Sequence, residues 1–333
     1  MNKNNVFTCL FTVIAAMFLA SCDSSISVRV ADAPTGYDKK YAACVSEAYE
    51  HERTEGVVFN TEEYKNYDEN RLKLVKDAPL STFGADVDTA GYANMRRMLR
   101  DENRLPPKDA VRVEEFLNYF EYAYPQPPKD GKFATTFEMG TCPWNAQRQL
   151  LLVGIQAKST ELANLPPSSF VFLIDNSGSM MDEMPLLLES MTMLAKQLRP
   201  QDNIGIVTYG GGAKVLIKSA TGDDGKKIQS AIEGLTAGGH TPGAAGIKTA
   251  YDLAAKNFIK GGNNRVVLVT DGDFNVGVSS ESELISLIEK KRETGVYLTV
   301  IGMGFGNYKD NKMKMLANKG NGNYIYIDSL REA

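Results

Sequence analysis

The chain has 333 residues, enough for about two domains of ordinary size. Hydrophobic residues make up 43% and charged residues 23%, which excludes a mainly disordered chain or a low-complexity fibre. Lys plus Arg number 37 against 41 Asp plus Glu, so the net charge of −4 offers no basic excess for nucleic acid. Only two histidines are present, which excludes His-rich metal sites and leaves few partners for a nucleophilic serine or cysteine. The four cysteines contain no CxxC, against structural zinc and thioredoxin-like chemistry.

At the N-terminus a mainly apolar run from Val6 to Ala20 follows Lys3. As a helix it would span about 22 Å at 1.5 Å per residue, short of a hydrocarbon core about 30 Å thick. That length fits a secretory signal better than a transmembrane span. The run ends Leu19-Ala20-Ser21-Cys22, which resembles the bacterial lipobox. The resemblance implies a signal peptide over 1–21, cleavage before Cys22 and lipid on Cys22, with the chain anchored to a membrane of the bacterial envelope. The alternative is an ordinary secretory signal with Cys22 incidental. Cys44 and Cys142 then lie in a compartment that permits disulfides and are either bridged or two separate thiols. Residues 22–67 are polar and poorly periodic, a tether with a short exposed helix near 38–52.

Residues 68–160 read as a smaller α+β module with its own core. Ser81 to Asp88 has the pattern of a strand, and Thr89 to Arg100 has helical spacing with Tyr92, Met95 and Met98 on one side. Asp86 and Asp88 invite a cation reading, but Asp88-Thr89 suits a cap and turn better. After Pro106-Pro107, the segment Ala110 to Tyr122 is predicted helical with Val111, Val113, Phe116, Leu117 and Phe120 as its buried face. Phe133 to Gly140 and Gln149 to Ala157 are predicted strands, with Trp144 in the loop between them.

From Ser168 onward strands alternate with helices. Strands are predicted at 170–175, 204–209, 214–219, 265–270, 296–302 and 324–328, and helices at 184–198, 223–235, 241–258, 281–294 and 311–318. Gly210-Gly211-Gly212 marks a hairpin. Nearly continuous apolar strands alternating with helices predict a mostly parallel sheet buried on both faces. Such sheets bind ligands beyond the carboxyl ends of their strands. Three segments would emerge at that edge: Asp175-Asn176-Ser177-Gly178-Ser179 after the first strand, Thr241 after Gly238-Gly239-His240, and Asp271 after Val266 to Thr270. Together they supply two carboxylates and three hydroxyls, hard oxygen donors suited to Mg²⁺ or Mn²⁺. Taken singly, each has a plainer role. Asp175 is a turn residue, Ser177 and Ser179 are helix caps, Thr241-Pro242 is an N-cap with proline at the first helical position, and Asp271-Gly272 is a turn.

D-x-S-x-S, a Thr after paired glycines and an Asp in T-D-G resemble the metal-ion-dependent adhesion site of von Willebrand factor A (VWA) domains. The phrases from Pro79 to Leu99 and from Leu105 to Pro127 resemble the N-terminal module of bacterial VWA proteins. The resemblance runs from about residue 62 and implies a Rossmann-like α/β VWA domain over 168–333, preceded by the smaller module. It implies that Asp175, Ser177, Ser179, Thr241 and Asp271 hold the cation, directly or through water. His240 stands where bacterial relatives usually carry a small residue, and with Phe274 it is placed on the ligand rim. Such domains end with a helix over the sheet. Ser329 to Ala333 reads as its first turn, so the last helix is expected to be truncated and apolar surface exposed near Ile325 and Ile327.

Gly302-Met303-Gly304-Phe305-Gly306 follows a strand as a dinucleotide loop would, but its third glycine comes one residue early and no acidic ribose residue follows. No GxxxxGK[ST] occurs. The expected function is cation-dependent protein binding by an envelope lipoprotein, without enzymatic activity. Five protein oxygens leave one place on a six-coordinate ion for water, or for an Asp or Glu of a partner. The alternatives are a metal-assisted hydrolase, for which His240 is the single nearby histidine, and a structural envelope protein.

Overall fold

Residues 61–65, 70–82, 87–239, 243–272 and 281–333 are described by the computed structural model. The signal segment, Cys22, Cys44, the 38–52 helix and Asp86 lie outside them.

Six strands form the central sheet: β3 (Ser168–Ile174), β4 (Asn203–Thr208), β5 (Lys214–Thr221), β6 (Asn263–Thr270), β7 (Val296–Gly302) and β8 (Tyr324–Tyr326). Their order is β5-β4-β3-β6-β7-β8, and only the edge pair β4/β5 is antiparallel. The apolar runs of β3 and β6 divide strictly between two cores, as the two-residue period of a strand requires. Val171, Leu173, Val266 and Leu268 face one side, with Ile247, Ala250 and Tyr251 of α5 (Gly243–Lys256), Leu284 and Ile288 of α6 (Glu281–Glu293) and Met313 of α7 (Asp310–Lys319). Phe172, Ile174, Val267 and Val269 face the other, with Met184, Leu187 and Met191 of α3 (Met184–Ala195) and Ile228 and Ile232 of α4 (Gly225–Glu233).

Ahead of the sheet come α1 (Ala90–Arg100), α2 (Val113–Tyr119) and an antiparallel ribbon of β1 (Phe133–Thr141) with β2 (Gln149–Ala157). Among the described residues the expected separate core of this module is not found: Ala90 and Ala93 of α1 belong to the same cluster as the sheet. Nor is a strand found at the described residues 81–82 and 87–89. Asp88 instead accepts a hydrogen bond from Tyr324 N (2.9 Å), tying the entry of α1 to the edge strand β8.

The second correction concerns α2, which is shorter than predicted and turned the other way. Val113 and Leu117 are 64% and 42% exposed, whereas Arg112 and Glu115 are buried. Arg112 pairs with Asp310 at the start of α7 (2.6 Å) and with Glu115 (3.0 Å). Glu115 also accepts from Lys314 Nζ (2.5 Å) and from Gly91 N (2.7 Å). A Cβ at Gly91 would sit 2.9 Å from that carboxylate oxygen, so only glycine lets α1 approach so closely. The aromatic side of α2 is retained: Phe116, Tyr119 and Phe120 all pack on Tyr92 of α1. A hydrophobic-period argument cannot see an ion pair formed with a residue 198 positions away.

Ile327 is only 9% exposed and packs with the α3/α4 core, contrary to the expected apolar exposure; Ile325 is half-buried. The end of the chain forms a turn, with Ala333 N donating to Ser329 O. Asp328 and Glu332 are both held by Arg96 of α1. The ribbon keeps one face open: Phe137, Met139 and Leu151 are each about three-fifths exposed.

Removing one partner of a buried pair leaves an uncompensated charge, at about 3–5 kcal/mol. Arg112→Met is therefore expected to lower the urea unfolding free energy by about that amount. A change within the error of the measurement would show that Arg112 does not hold the module in place. The same network sets an acid limit. Burial alone would raise the Glu115 carboxyl, but Arg112 and Lys314 hold it below its ordinary 4.5, and Glu62 is held down against burial by Arg97. Depressed carboxyl groups add stability above their unfolded pKa and lose it as pH falls through the folded one. The unfolding midpoint should thus decline below about pH 4.5, and less steeply in Glu115→Gln.

Candidate metal centre

The parallel order places the ends of β3, β4 and β6 side by side, and the candidate residues gather there. Asp175 directly follows β3 and continues its pairing, with Asp175 N donating to Val269 O of β6 (2.9 Å). The side chain is fully buried. Its Oδ1 accepts from Ser177 N (2.9 Å), which turns the chain. Its Oδ2 accepts from Tyr209 OH (2.7 Å), just past the end of β4, and from Thr270 Oγ1 (3.0 Å), the last residue of β6. Ser177 Oγ lies 3.0 Å from Ser179 Oγ. Ser177 is buried and Ser179 exposed, so the donors run from the interior to the surface. Asp271 is 4% exposed and follows Thr270, whose Oγ1 also accepts from Gly272 N (3.1 Å).

Two glycine-rich turns brace this first loop. Gly210 N donates to Asn176 Oδ1 (2.6 Å) and Gly238 N to Asn176 O (2.7 Å), while Asn176 Nδ2 reaches Thr236 O (3.1 Å). A Cβ at Gly210 would collide with the Asn176 main chain. Gly239, at φ +108°, would place one 2.9 Å from Gly210. The Gly210–Gly212 run thus serves close approach as well as the β4–β5 hairpin. Thr241, His240 and Phe274 lie outside the described residues, so four of the five predicted ligands are located and the two rim residues are not.

Four further residues belong to the neighbourhood: Tyr209, Thr270, Asn176 and Glu183. Thr270 was legible as the residue ahead of the TDG turn, and Tyr209 as the end of an apolar strand, but neither pattern announces a bond to Asp175. Glu183 is half-buried beside Asp271: a Cβ at Gly304 would lie 3.3 Å from Asp271 Cβ and 3.5 Å from Glu183 Cγ. Burial, with Asp182 and Asp271 adding to it, pushes the Glu183 carboxyl up to about 7 against the opposing pull of Arg97.

The donor chemistry fits a hard divalent ion. Among the described residues no group of three or more His, Cys, Asp or Glu is placed to chelate a metal, so a cation here would rely on two carboxylates and neutral hydroxyls. Asp175 is buried, and among the described residues the donors that reach its carboxyl group are the neutral Ser177 N, Tyr209 OH and Thr270 Oγ1.

The family profile for the von Willebrand factor type A domain matches residues 170–333, and a second, for von Willebrand factor, matches 58–152. The Escherichia coli (strain K12) protein YfbK, itself uncharacterised, is 47% identical over 282 residues, covering 82% of this chain and 49% of its own length. The uncharacterised protein sll0103 of Synechocystis is 29% identical over 194 residues, 56% of this chain and 44% of its own. The chain therefore spans about half the length of these relatives. Among solved structures, a von Willebrand factor type A protein from Catenulispora acidiphila superposes with a TM-score of 0.44 at 17% identity, covering 63% of this chain and 48% of its own. Manganese-loaded Plasmodium vivax TRAP protein gives 0.39 at 21%, covering 49% and 69%. With its sheet, its edge loops and its two matched regions, the chain belongs to the von Willebrand factor type A family, the type A domain being preceded by that family's smaller module.

Proposed function

We propose that this protein is a lipid-anchored binding protein of the bacterial envelope that captures a protein partner through a divalent cation held at the carboxyl edge of its sheet. The observation that carries this reading is the buried Asp175 carboxylate, whose donors among the described residues are all neutral. Interiors accept a buried charge when it is paired or coordinates a metal. Asp175 and Asp271 together match the charge of one Mg²⁺ or Mn²⁺.

Asp175, Ser177, Ser179 and Asp271 would hold the ion, with Thr241 joining them by the family pattern. When bound, the ion supplies Lewis-acid attraction for a hard anionic oxygen, and the side chain that best provides one is an Asp or Glu of the partner. The protein's own residues prepare that encounter. Tyr209 and Thr270 fix the orientation of Asp175, in the way outer hydrogen bonds orient metal ligands. Asn176 locks the loop to both glycine turns, and Ser179 stands at the surface where a partner arrives. His240 and Phe274 are the proposed rim. Type A domains commonly mediate protein–protein binding, and the reading is one of binding rather than catalysis. The serines are committed as donors, and His240 is the single histidine that the sequence places near the motif for a hydrolytic step. Anchoring rests on the Val6–Ala20 run and Cys22. Among the described residues, no helix is long and apolar enough to cross a membrane.

Titration calorimetry with Mn²⁺ tests the site. Asp175→Ala should weaken Mn²⁺ binding by more than about a hundredfold, and Asp271→Ala nearly as much, with far-ultraviolet dichroism unchanged. Wild-type protein that takes up no Mn²⁺ or Mg²⁺ would end the cation reading. A partner recovered from envelope extract should be released by chelator and recaptured on adding Mg²⁺. For the anchor, Cys22→Ser should free the protein from the membrane fraction or block its processing; a variant that is still processed and still membrane-bound would refute lipidation at Cys22.

A further inference from the structure

The glycine run 302–306, which has no dinucleotide to bind, lies against the candidate cation site. Met303 N donates to Thr270 O (3.0 Å) and Lys309 N to Asp271 O (3.4 Å), so the loop from Met303 to Lys309 is stitched to the segment that carries Asp271. Gly304 also lies beside Asp271, close enough that an added Cβ would sit 3.3 Å from Asp271 Cβ. The loop's Tyr308 is buried, and Gly304 O accepts from Tyr326 OH (2.8 Å), but the stretch between them is built on glycine. Gly304 and Gly306 sit at φ +95° and +77°, conformations that glycine adopts freely and that ordering must pay for in entropy. Its position is therefore set by what it touches.

What it touches on the far side is a segment from well upstream in the chain. Thr61 N donates to Gly306 O (2.7 Å), Glu63 N donates to Tyr308 O (3.0 Å), and Glu63 forms a parallel bridge with Lys309. Lys309 Nζ returns to Thr61 O (2.6 Å) and to Glu63 Oε1 (2.9 Å). Glu62 points inward, its side chain only 2% exposed. It accepts from Gly306 N (2.9 Å), Arg97 (2.9 Å), Arg104 (2.7 Å) and Tyr64 OH (3.0 Å). One carboxylate thus joins the glycine loop to two arginines of the N-terminal module.

We propose that the segment Thr61–Tyr64, with Glu62 as its buried anchor, is a positioning element of the cation site: it straps the 303–309 loop in place and thereby fixes Asp271 for coordination. This rests on the cation reading of the site. Metal ligands must be held within about half an ångström of their productive positions. A loop built on two positive-φ glycines does not achieve that without an external brace. The strap reaches the site through main-chain partners of Asp271, so Glu62 is a positioning residue and not a ligand. By linkage the coupling runs both ways: a strap that favours the ion is tightened when the ion binds.

The test uses Mn²⁺ alone on the full chain. Glu62→Ala should raise the Mn²⁺ dissociation constant by about tenfold, the scale of a lost outer-shell partner. Glu62→Gln, which keeps an acceptor for Gly306 N, should recover most of it. Asp202→Ala is the stability control. Asp202 binds Ser168 N and Arg199 at the opposite, amino end of β3 and β4, so its loss should lower the melting temperature without moving the dissociation constant. Equal Mn²⁺ affinity in wild type and Glu62→Ala would overturn the strap while leaving the cation site standing. Absence of Mn²⁺ binding by wild type would overturn both. Should Glu62→Ala fail to fold, hydrogen exchange on the wild type decides. Saturating Mn²⁺ should slow exchange of the Thr61, Glu63 and Gly306 amides several-fold, and unchanged exchange there would refute the coupling.

Discussion

Parallel pairing of β3 with β4 on one side and β6 on the other is what the site depends on. It ends the strands together, so Asp175, Tyr209 and Thr270 come into contact although they are 34 and 95 positions apart. Because both sheet faces are covered, the central strands place most of their side chains in the two cores, and the donors to Asp175 come from the strand ends. The carboxylate that results is buried by the same helices that stabilise the sheet. Its burial is a by-product of the fold, and its tolerance depends on donors supplied by the ends of neighbouring strands.

The smaller module is held to this sheet by a different physics. Besides the apolar contact of Ala90 and Ala93, three arginines order it: Arg96 on Asp328 and Glu332 and Arg112 on Asp310 reach across, while Arg97 on Glu62 and Glu102 and Arg112 on Glu115 pair within it. Buried ion pairs contribute little net stability once desolvation is counted, because their Coulombic gain roughly offsets it. What they impose is geometry. A guanidinium fork accepts its carboxylates in few orientations, whereas an apolar face tolerates sliding. The apolar side chains of α2 that face solvent, Val113 and Leu117, are consistent with that division: the helix is oriented by Arg112 and not by its hydrophobic stripe.

This difference explains what could be read in advance. The sheet was legible because continuous apolar strands and amphipathic helices carry their partners' signature in their own period. All six strands of the type A domain and the donors at the carboxyl edge follow from that and from the D-x-S-x-S and T-D-G patterns. The inverted α2, the Asp88 contact with β8 and the strap at Thr61–Tyr64 were not legible. Each is made by polar groups far apart in sequence, and the strap lies in a stretch whose composition reads as tether. Nor did any local pattern mark Tyr209, since an aromatic at a strand end is ordinary core until its hydroxyl is seen to meet a carboxylate.

Arg97 is where the two kinds of organisation meet. It donates to Glu62 and Asn94 and sits 5.7 Å from the ring centroid of Tyr326. The hydroxyl of Tyr326 in turn donates to Gly304 O (2.8 Å), in the loop beside Asp271. Its positive charge is also felt by Glu183, where it opposes burial and the negative charge of Asp182 and Asp271. A single buried guanidinium therefore touches the strap and the last strand, each of which bonds the glycine loop, and opposes the upward shift of Glu183 through space. Charge inside a low-dielectric interior acts over longer distances than packing does. A guanidinium at this position influences Glu183 without contacting it, and it does so only while α1 stays docked. The module's placement on the sheet and the electrostatics of the edge are in that sense one property, set by where one helix holds one arginine.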